Sequence, residues 1–463
     1  MPTKRDKIEK WSLTYHLLKY YVDFCFKFYF RTTVSGLANI PKDKSIILAP
    51  NHQNALMDAL AILSVKSWQL VFLARADIFE KPFYNKLLTL IKILPVYRMR
   101  DGYGNLQKND EVFIKTMDVL SNKIGVGIMP EGNHGDKKRL RPLKKGIARI
   151  AFQSEDASDG TLDIHIVPVG LDYSDYIKVG SKLHIRFGMP FRVKPLLGLY
   201  RENPAKGYNQ LLELLEKSLK TEMIDIEDER YYNGYKVIID MFTKQYLKQS
   251  KIYKSHPNRV DAQILMIQKI DELKKRNCDD FLLLIANALE YNMLINKMAL
   301  DPNSFPADIT KRMMLIPHFI FLAAALPLFI YSFINCMLPL SLPYFLTKKI
   351  KDKQFISSFR FGVGILVFPA FHAMQILVFS LVTKNLLYTA IYAVSLPLSV
   401  YLFFVLSKSM RIYFRRLREV IHSIFNSKKV KRAKELHKAI SKKMWDEINR
   451  KSDEDYMPSY MDD

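Results

Sequence analysis

SIILAP (Ser45–Pro50) runs straight into NHQNALMD (Asn51–Asp58), so an apolar run of strand length meets a polar turn that opens a helix. The same alternation recurs along the chain. QLVFLA (Gln69–Ala74), ILPVYR (Ile93–Arg98), GVGIMP (Gly125–Pro130), IHIVPVGL (Ile164–Leu171) and KLHIRFG (Lys182–Gly188) are further short apolar runs. Between them lie helix candidates such as Ala55–Ser64 and Glu111–Ser121. Strands that are apolar along their whole length are buried on both faces, and helices between them supply parallel crossovers. The expectation is an α/β fold: a mostly parallel sheet flanked by helices. Sites in such sheets form beyond the carboxyl ends of strands, so the residues after each strand carry the functional weight.

The rest of the chain is organised around this block. A length of 463 residues suits two or three structural units. Residues 1–312 mix polar and apolar positions, whereas 313–407 are nearly continuous apolar sequence. The expected division is an amphipathic membrane-interface helix region (1–35), the α/β domain (36–195), a helical extension (196–312), transmembrane helical hairpins (313–407) and a basic amphipathic tail (408–463). In residues 10–33, Lys19, Asp23 and Lys27 interrupt an aromatic-rich stretch and argue against a spanning helix. Two readings stay open there: an interfacial helix dipping Tyr15, Tyr20, Tyr21, Phe24 and Phe28 into headgroups, or a helix packed on its own domain. The extension carries helical patterns such as LLELLEKSLKTEM and AQILMIQKIDELKK, and no assignable motif.

Met313–Leu346 holds 34 residues without Asp, Glu, Lys or Arg, broken by Pro317, Pro327, Pro339 and Pro343. One crossing takes about 20 apolar residues, so this stretch is long for one span and short for two. Phe361–Val382 and Leu386–Leu406 read as two further spans. Keeping Lys311-Arg312, KKIKDK (Lys348–Lys353) and Lys408–Arg416 on the cytoplasmic side calls for two hairpins, with turns near Asn335 and Asn385. The tail reads either as a solvated helix or as a clamp on anionic lipid. A formal net charge of +24 could serve nucleic acid, anionic lipid or an acidic soluble partner. The apolar block favours lipid, and no zinc-finger spacing, RNA-recognition motif or basic zipper is present, so no nucleic-acid partner is expected. Cys25, Cys278 and Cys336 are too dispersed for a disulfide framework, which suits a reducing compartment, and the N-terminus lacks a secretory signal pattern.

The chemistry follows the strands. His52 lies after the first strand, where an imidazole near neutrality can take a proton from a hydroxyl and a carboxylate can hold its tautomer. Asp58 is six positions away and would face elsewhere if both residues were helical. His52 must then sit in the turn before the helix and reach toward Asp58. Arg98 ends the third strand and offers a forked donor suited to phosphate. MPEGNHG (Met129–Gly135) follows the fourth, where Glu131 could enter a cleft and hydrogen-bond an acceptor's hydroxyl. KKRLRPLKKG (Lys137–Gly146) is either a solvated basic loop or a landing surface for a phosphorylated substrate. Pro168, in IVPVGL, either lines the site or belongs to a core strand.

In this order and spacing, the four blocks over about Ile40–Pro190 resemble the glycerophospholipid acyltransferase family, which includes the lysophosphatidate and glycerol-3-phosphate acyltransferases. The resemblance implies that His52 and Asp58 carry catalysis, that Arg98, Glu131 and Gly132 bind the acceptor phosphate and glycerol, and that Pro168 shapes the substrate site. Five residues separate His52 from Asp58 where the family usually has four. Some glycerol-3-phosphate acyltransferases with trailing membrane segments look similar, with an Asn soon after the His, as Asn54 is here. Asn133-His134-Gly135 replaces the family's Thr/Ser-Arg, which could shift phosphate binding to Lys137, Lys138 or Arg139. The implied reaction moves a fatty-acyl chain from acyl-CoA or an acidic acyl carrier protein onto glycerol-3-phosphate or lysophosphatidate. It needs no cofactor or metal, and the catalytic domain would face the cytoplasm from a multi-pass membrane protein. Another lyso-lipid or amino-lipid acceptor, and a non-catalytic lipid-binding scaffold, are the alternatives.

Overall fold

A computed structural model of the protein describes residues 8, 10, 12–79, 82–96, 108–300, 305, 313–425 and 427–450. The chain opens with α1 (Leu13–Tyr29), capped by the Ser12 hydroxyl, which accepts from the Tyr15 N–H. One face of α1 is buried through Tyr15, Lys19, Phe26 and Tyr29. The Lys19 ammonium is satisfied by Asp23 and the Leu63 carbonyl, so a charge can be buried there. Leu13, Leu17, Tyr20, Phe24 and Phe28 form an exposed apolar stripe along the same helix. The helix thus packs on its own domain and leaves an aromatic face outward, and Tyr15, expected on the outward face, is buried instead.

β1 (Phe30–Ser35) follows at once and pairs in parallel with a late strand, from Phe30↔Ser181 to Ser35↔Arg186. It was not among the strands expected from sequence. Then come β2 (Ile46–Pro50), α2 (Leu56–Leu63), β3 (Leu70–Arg75), α3 (Pro82–Leu90), β4 (Ile93–Val96), α4 (Lys108–Ser121), β5 (Gly125–Gly127) and α5 (Gly146–Ala157). β6 (His165–Tyr173), β7 (Ser181–Phe187), β8 (Phe191–Arg192), α6 (Leu197–Glu202) and α7 (Pro204–Glu222) complete this part. The order across the sheet is β1-β7-β6-β2-β5-β3-β4, with β8 beside β6. Pairings with β6 from β7 and β8 are antiparallel and the others parallel, so the expected mostly parallel sheet is what forms.

The sheet is buried on both sides, as its strands' composition requires. Along β2, Ile46 and Leu48 join the core that holds Phe26, Met57 and Ile62, while Ile47 and Ala49 join the core with Val126, Phe152 and Leu215. This is the two-residue alternation of a strand with a helix layer on each face. A fully buried Leu or Phe contributes about 1.5–3 kcal/mol, and several on each face are completely buried. Gly170 lies where α7 ends against β6: a Cβ there would stand 1.9 Å from the Glu222 carbonyl oxygen.

The chain forms two compact units, Met1–Asp225 with Pro343–Ile365 and Ile226–Leu342 with Leu366–Asp463. The first therefore extends past the expected limits of 36 and 195, because α1 and β1 belong to the sheet layer and α7 packs on β6. In the second unit, α8 (Tyr232–Gln249), α9 (His256–Arg276) and α10 (Cys278–Lys297) pack with the last helix of the tail. Ser255 and Asn277 cap α9 and α10 through their side chains.

The apolar region forms α11 (Leu315–Ala324), α12 (Leu326–Thr347), α13 (Ile356–Thr383) and α14 (Leu386–Phe425). Among the described residues, α12, α13 and α14 are long and apolar enough to cross a membrane. The turn expected near Asn335 does not appear. The helix breaks at Ala325, just before Pro327, and Asn335 lies within α12. The turn at Lys384-Asn385 does form, with the Asn385 side chain accepting from the Tyr388 N–H. The tail helix α15 (Ser427–Asn449) docks on α8–α10: Trp445 lies edge-on to Phe242 at 5.4 Å, and Arg432 forks onto Glu290 at 2.8 Å. The basic tail is thus part of a helical bundle, with Lys443 paired to Asp280 and Arg276 to Glu447.

Candidate active site

β2 lies between β6 and β5, so the residues beyond the carboxyl ends of these three neighbours meet at one point. Asn51 ends β2 by using its side chain as a substitute strand: its amide donates to the Leu171 carbonyl and accepts from the Leu171 N–H at 2.6 Å. His52 comes next, still outside α2. Its Nδ1 stands 2.9 Å from Asp58 Oδ2. Asp58 is fully buried in the first turn of α2, and the same Oδ2 accepts the backbone N–H groups of Gln53 (2.8 Å) and Asn54 (2.7 Å). The carboxylate thus folds the turn around itself as well as holding the imidazole. With Nδ1–H donating to an acceptor-only group, Nε2 is the basic nitrogen of the neutral ring.

Between His52 and Asp58, Ala55 has a φ of +42°, in the left-handed half of backbone space. Tyr173, at the end of β6, donates its hydroxyl to the other oxygen of Asp58 at 2.8 Å. Burial raises the Tyr173 phenol well above its ordinary pKa, and the nearby Asp58 adds to the shift, so it remains a donor. Sequence reading ended this strand at Leu171. Tyr173 shares the parity of Val169 and Leu171, and that alternation was the available signal.

Glu131 was expected to reach a substrate hydroxyl. Instead it is buried and committed: Oε1 accepts the His52 N–H at 2.7 Å, and Oε2 accepts Arg141 Nε at 2.8 Å and the Arg141 N–H at 3.2 Å. Arg141 also donates to the His52 carbonyl at 3.1 Å and to the Asn133 carbonyl. The Glu131–Arg141 pair therefore holds both the N–H and the carbonyl of His52. Burial raises the Glu131 pKa, and the Arg141 charge and the His52 N–H oppose that rise. Arg141 sits in the run read only as a basic surface, and no spacing rule would have singled it out from its neighbours.

Gly132, with φ +64°, turns the chain after Glu131 and donates its N–H to the Met129 carbonyl at 3.0 Å. Lys138 is half-buried and paired with Asp172, and the Lys137 carbonyl accepts from the Gln53 side chain at 3.3 Å. Arg139 is half-buried in the same loop. Asn54 was expected to line the site. It is fully buried, with its amide donating to the Tyr176 carbonyl at 3.1 Å and accepting from the Ser357 hydroxyl, so it braces the turn. Pro168 pairs with Ala49 inside the sheet and its carbonyl accepts from Gly188, which makes it a core-strand residue. β4 is an edge strand, three places from β2; Arg98, which follows it in sequence, lies outside the described residues.

His134 completes the cluster. Its ring stands edge-on to His52 at 5.5 Å and to Phe355 at 4.7 Å, and its Nε2 is 3.0 Å from Asp352 Oδ2. Burial lowers its pKa, with His52 and Arg141 acting in the same direction and Asp352 against it.

Comparison with known proteins finds relatives of the segment that holds this site. The family model named Acyltransferase matches residues 31–172. Two glycerol-3-phosphate O-acyltransferases of Saccharomyces cerevisiae, numbered 2 and 1, are 34% identical over 118 residues and 29% identical over 120, each match covering 25% of this chain and 16% of theirs. A 1-acyl-sn-glycerol-3-phosphate acyltransferase of Borreliella burgdorferi is 28% identical over 121 residues, covering 26% of this chain and 46% of its own. The chain thus aligns with less than half the length of each of these relatives. A crystal structure of the 1-acyl-sn-glycerophosphate acyltransferase of Thermotoga maritima overlaps 45% of this chain and 84% of its own, at 19% identity and a TM-score of 0.29. The segment that carries His52, Asp58, Glu131 and Pro168 is an acyltransferase domain, similar over about a quarter of the chain to glycerol-3-phosphate and 1-acyl-sn-glycerol-3-phosphate acyltransferases.

Proposed function

We propose that the protein transfers a fatty-acyl group from a thioester, acyl-CoA or acyl carrier protein, to a hydroxyl of glycerol-3-phosphate or lysophosphatidate at a membrane surface. The observation that carries this reading is the His52 Nδ1–Asp58 contact at 2.9 Å, which leaves Nε2 as the base. In the proposed step Nε2 takes the acceptor's hydroxyl proton as that oxygen attacks the thioester carbonyl. The tetrahedral intermediate then collapses with loss of the thiolate, which receives the proton from the imidazolium, so a C–S bond is exchanged for a C–O bond. Asp58 stabilises the imidazolium between the two steps. The apolar helices support a multi-pass protein whose acyl-transfer domain works beside the bilayer on the cytoplasmic side, where its acyl substrates partition.

Purified His52→Ala protein should turn over about a hundred- to ten-thousand-fold more slowly, the usual scale for a general base. Near-normal turnover would end the proposal. A second reading keeps the chemistry and changes the acceptor. Lys138 pairs with Asp172 and Arg141 with Glu131, so two cations beside the site already neutralise carboxylates, which favours an acceptor lacking a phosphomonoester. Mass spectrometry of the lipids formed from one thioester and parallel acceptors (glycerol-3-phosphate, lysophosphatidate, neutral lyso-lipids) separates the two.

A further inference from the structure

The family match ends at residue 172, yet two contacts to His134 and one to Asn54 come from residues 352–357, which lead into and begin α13. Asp352 meets His134 Nε2 at 3.0 Å, Phe355 packs edge-on against the His134 ring at 4.7 Å, and the Ser357 hydroxyl donates to Asn54. All three belong to the same compact unit as the sheet. His52, His134 and Phe355 form a row of rings, each edge-on to the next. The His52–Asp58 hydrogen bond fixes one end of the His52 ring, and a single bond leaves the ring plane free to swing. The edge of His134 limits that swing, and His134 is itself held by Asp352 and Phe355. Ser357 acts at the other end of the turn, through the amide of the residue two places beyond His52.

We propose that Asp352 is a positioning residue for acyl transfer: from the loop between two membrane-type helices, it holds His134 against His52 and so fixes the plane of the catalytic imidazole. The inference rests on the acyl-transfer reading above. It means that residues 31–172 do not make a complete active site, because Asp352, Phe355 and Ser357 hold His134 and Asn54 from outside that segment. The side chain of Asp352 is about half exposed, so its replacement removes the contact to His134 without opening the core.

The test compares wild-type, Asp352→Ala and Asp352→Asn full-length protein in detergent micelles, together with His52→Ala. Loss of orientation alone can cost on the order of a hundredfold. Asp352→Ala should lower kcat by about 10- to 100-fold while KM for the thioester changes by less than about twofold. Asp352→Asn keeps an oxygen for the His134 N–H and should recover most of kcat, which a merely structural role for the charge would not predict. Hydrogen exchange without substrate should rise over 51–58 and 129–135 in Asp352→Ala and stay unchanged in the strands of the sheet. Unchanged kcat in Asp352→Ala, an Asn variant as defective as the Ala variant, or unaltered exchange over 51–58 would each overturn the proposal. If even the wild type shows no His52-dependent transfer, the acyl-transfer reading fails. The exchange pattern then still decides whether Asp352 orders the turn.

Discussion

Tyr173 and Arg141 act on His52 through the groups that hold it. Tyr173→Phe removes one donor from a buried carboxylate, and a hydrogen bond to a charged group is worth about 1.5–3 kcal/mol. The expected result is a lower melting temperature and a kcat reduced by about tenfold with KM little changed. A variant with unaltered stability and kcat would show that Asp58 needs no second partner. Arg141→Met is more severe, since it strands Glu131 in the interior, and breaking a buried pair costs about 3–5 kcal/mol. Glu131 has a folded pKa raised by burial, and losing Arg141 raises it further. A carboxyl that binds its proton more tightly when folded makes stability fall as pH climbs above the ordinary carboxylate value. The melting temperature of Arg141→Met should therefore lag the wild type more at pH 8 than at pH 5. An equal lag at both would refute the assignment of Arg141 as the counter-charge. Of these contacts only His52–Asp58 was legible in the sequence, because a strand end and the next helical turn lie within one short run. Arg141 looked like its basic neighbours, and Asp352 lies so far along the chain that only folding brings it near.

Among the elements, α12 carries a polar group in the middle of an apolar surface. Asn335 Oδ1 accepts from Gln375 Nε2 at 3.2 Å on α13 and from the Tyr392 hydroxyl at 2.8 Å on α14. Asn335→Leu leaves both donors without this acceptor, and such interhelical bonds are worth about 0.6–1.7 kcal/mol in membranes. The melting temperature in detergent should fall by a few degrees on that scale; a rise would mean that apolar packing alone holds these helices. Keeping the basic loops on one side called for a turn near this Asn, whereas here its amide serves as interhelical glue and the break falls at Ala325. The core strands were readable because they are apolar on both faces. β1 was not, since FRTTVS continues an aromatic helix and exposes half its side chains at the sheet edge, leaving only the β-branched Thr32, Thr33 and Val34 as a signal. The tail helix carries heavy positive charge and was read as solvated or lipid-bound. Its apolar side, with Trp445, completes the bundle formed by the second unit's earlier helices, and that pairing is invisible from either segment alone.

For the whole molecule, the net charge of +24 and the apolar block together bear on how the chain meets a bilayer. α13 runs unbroken for 28 residues, about 42 Å at 1.5 Å per residue, which exceeds the roughly 30 Å hydrocarbon core. The Lys-rich loop at 348–353 precedes it and Lys384 follows it. α14 returns with an apolar first half and reaches its first basic cluster only at Lys408–Arg416. If both helices cross, 348–353 and 408–416 share a face and Lys384 stands alone on the other, the asymmetry that keeps clustered Lys and Arg in the cytoplasm. The check uses single cysteines at Lys351 and Lys384 in a background with Cys25, Cys278 and Cys336 replaced, exposed to a membrane-impermeant maleimide in sealed vesicles. With the cytoplasmic face outward, Lys351→Cys should label at once and Lys384→Cys only after the vesicles are opened. Labelling of both from the outside would mean that α13 lies along the surface, and the acyl-transfer domain would then be held by interfacial helices instead of spans. A chain released by carbonate wash would say the same by an independent route, because only spanning helices keep a protein of this charge in the membrane once electrostatic attachment is stripped away.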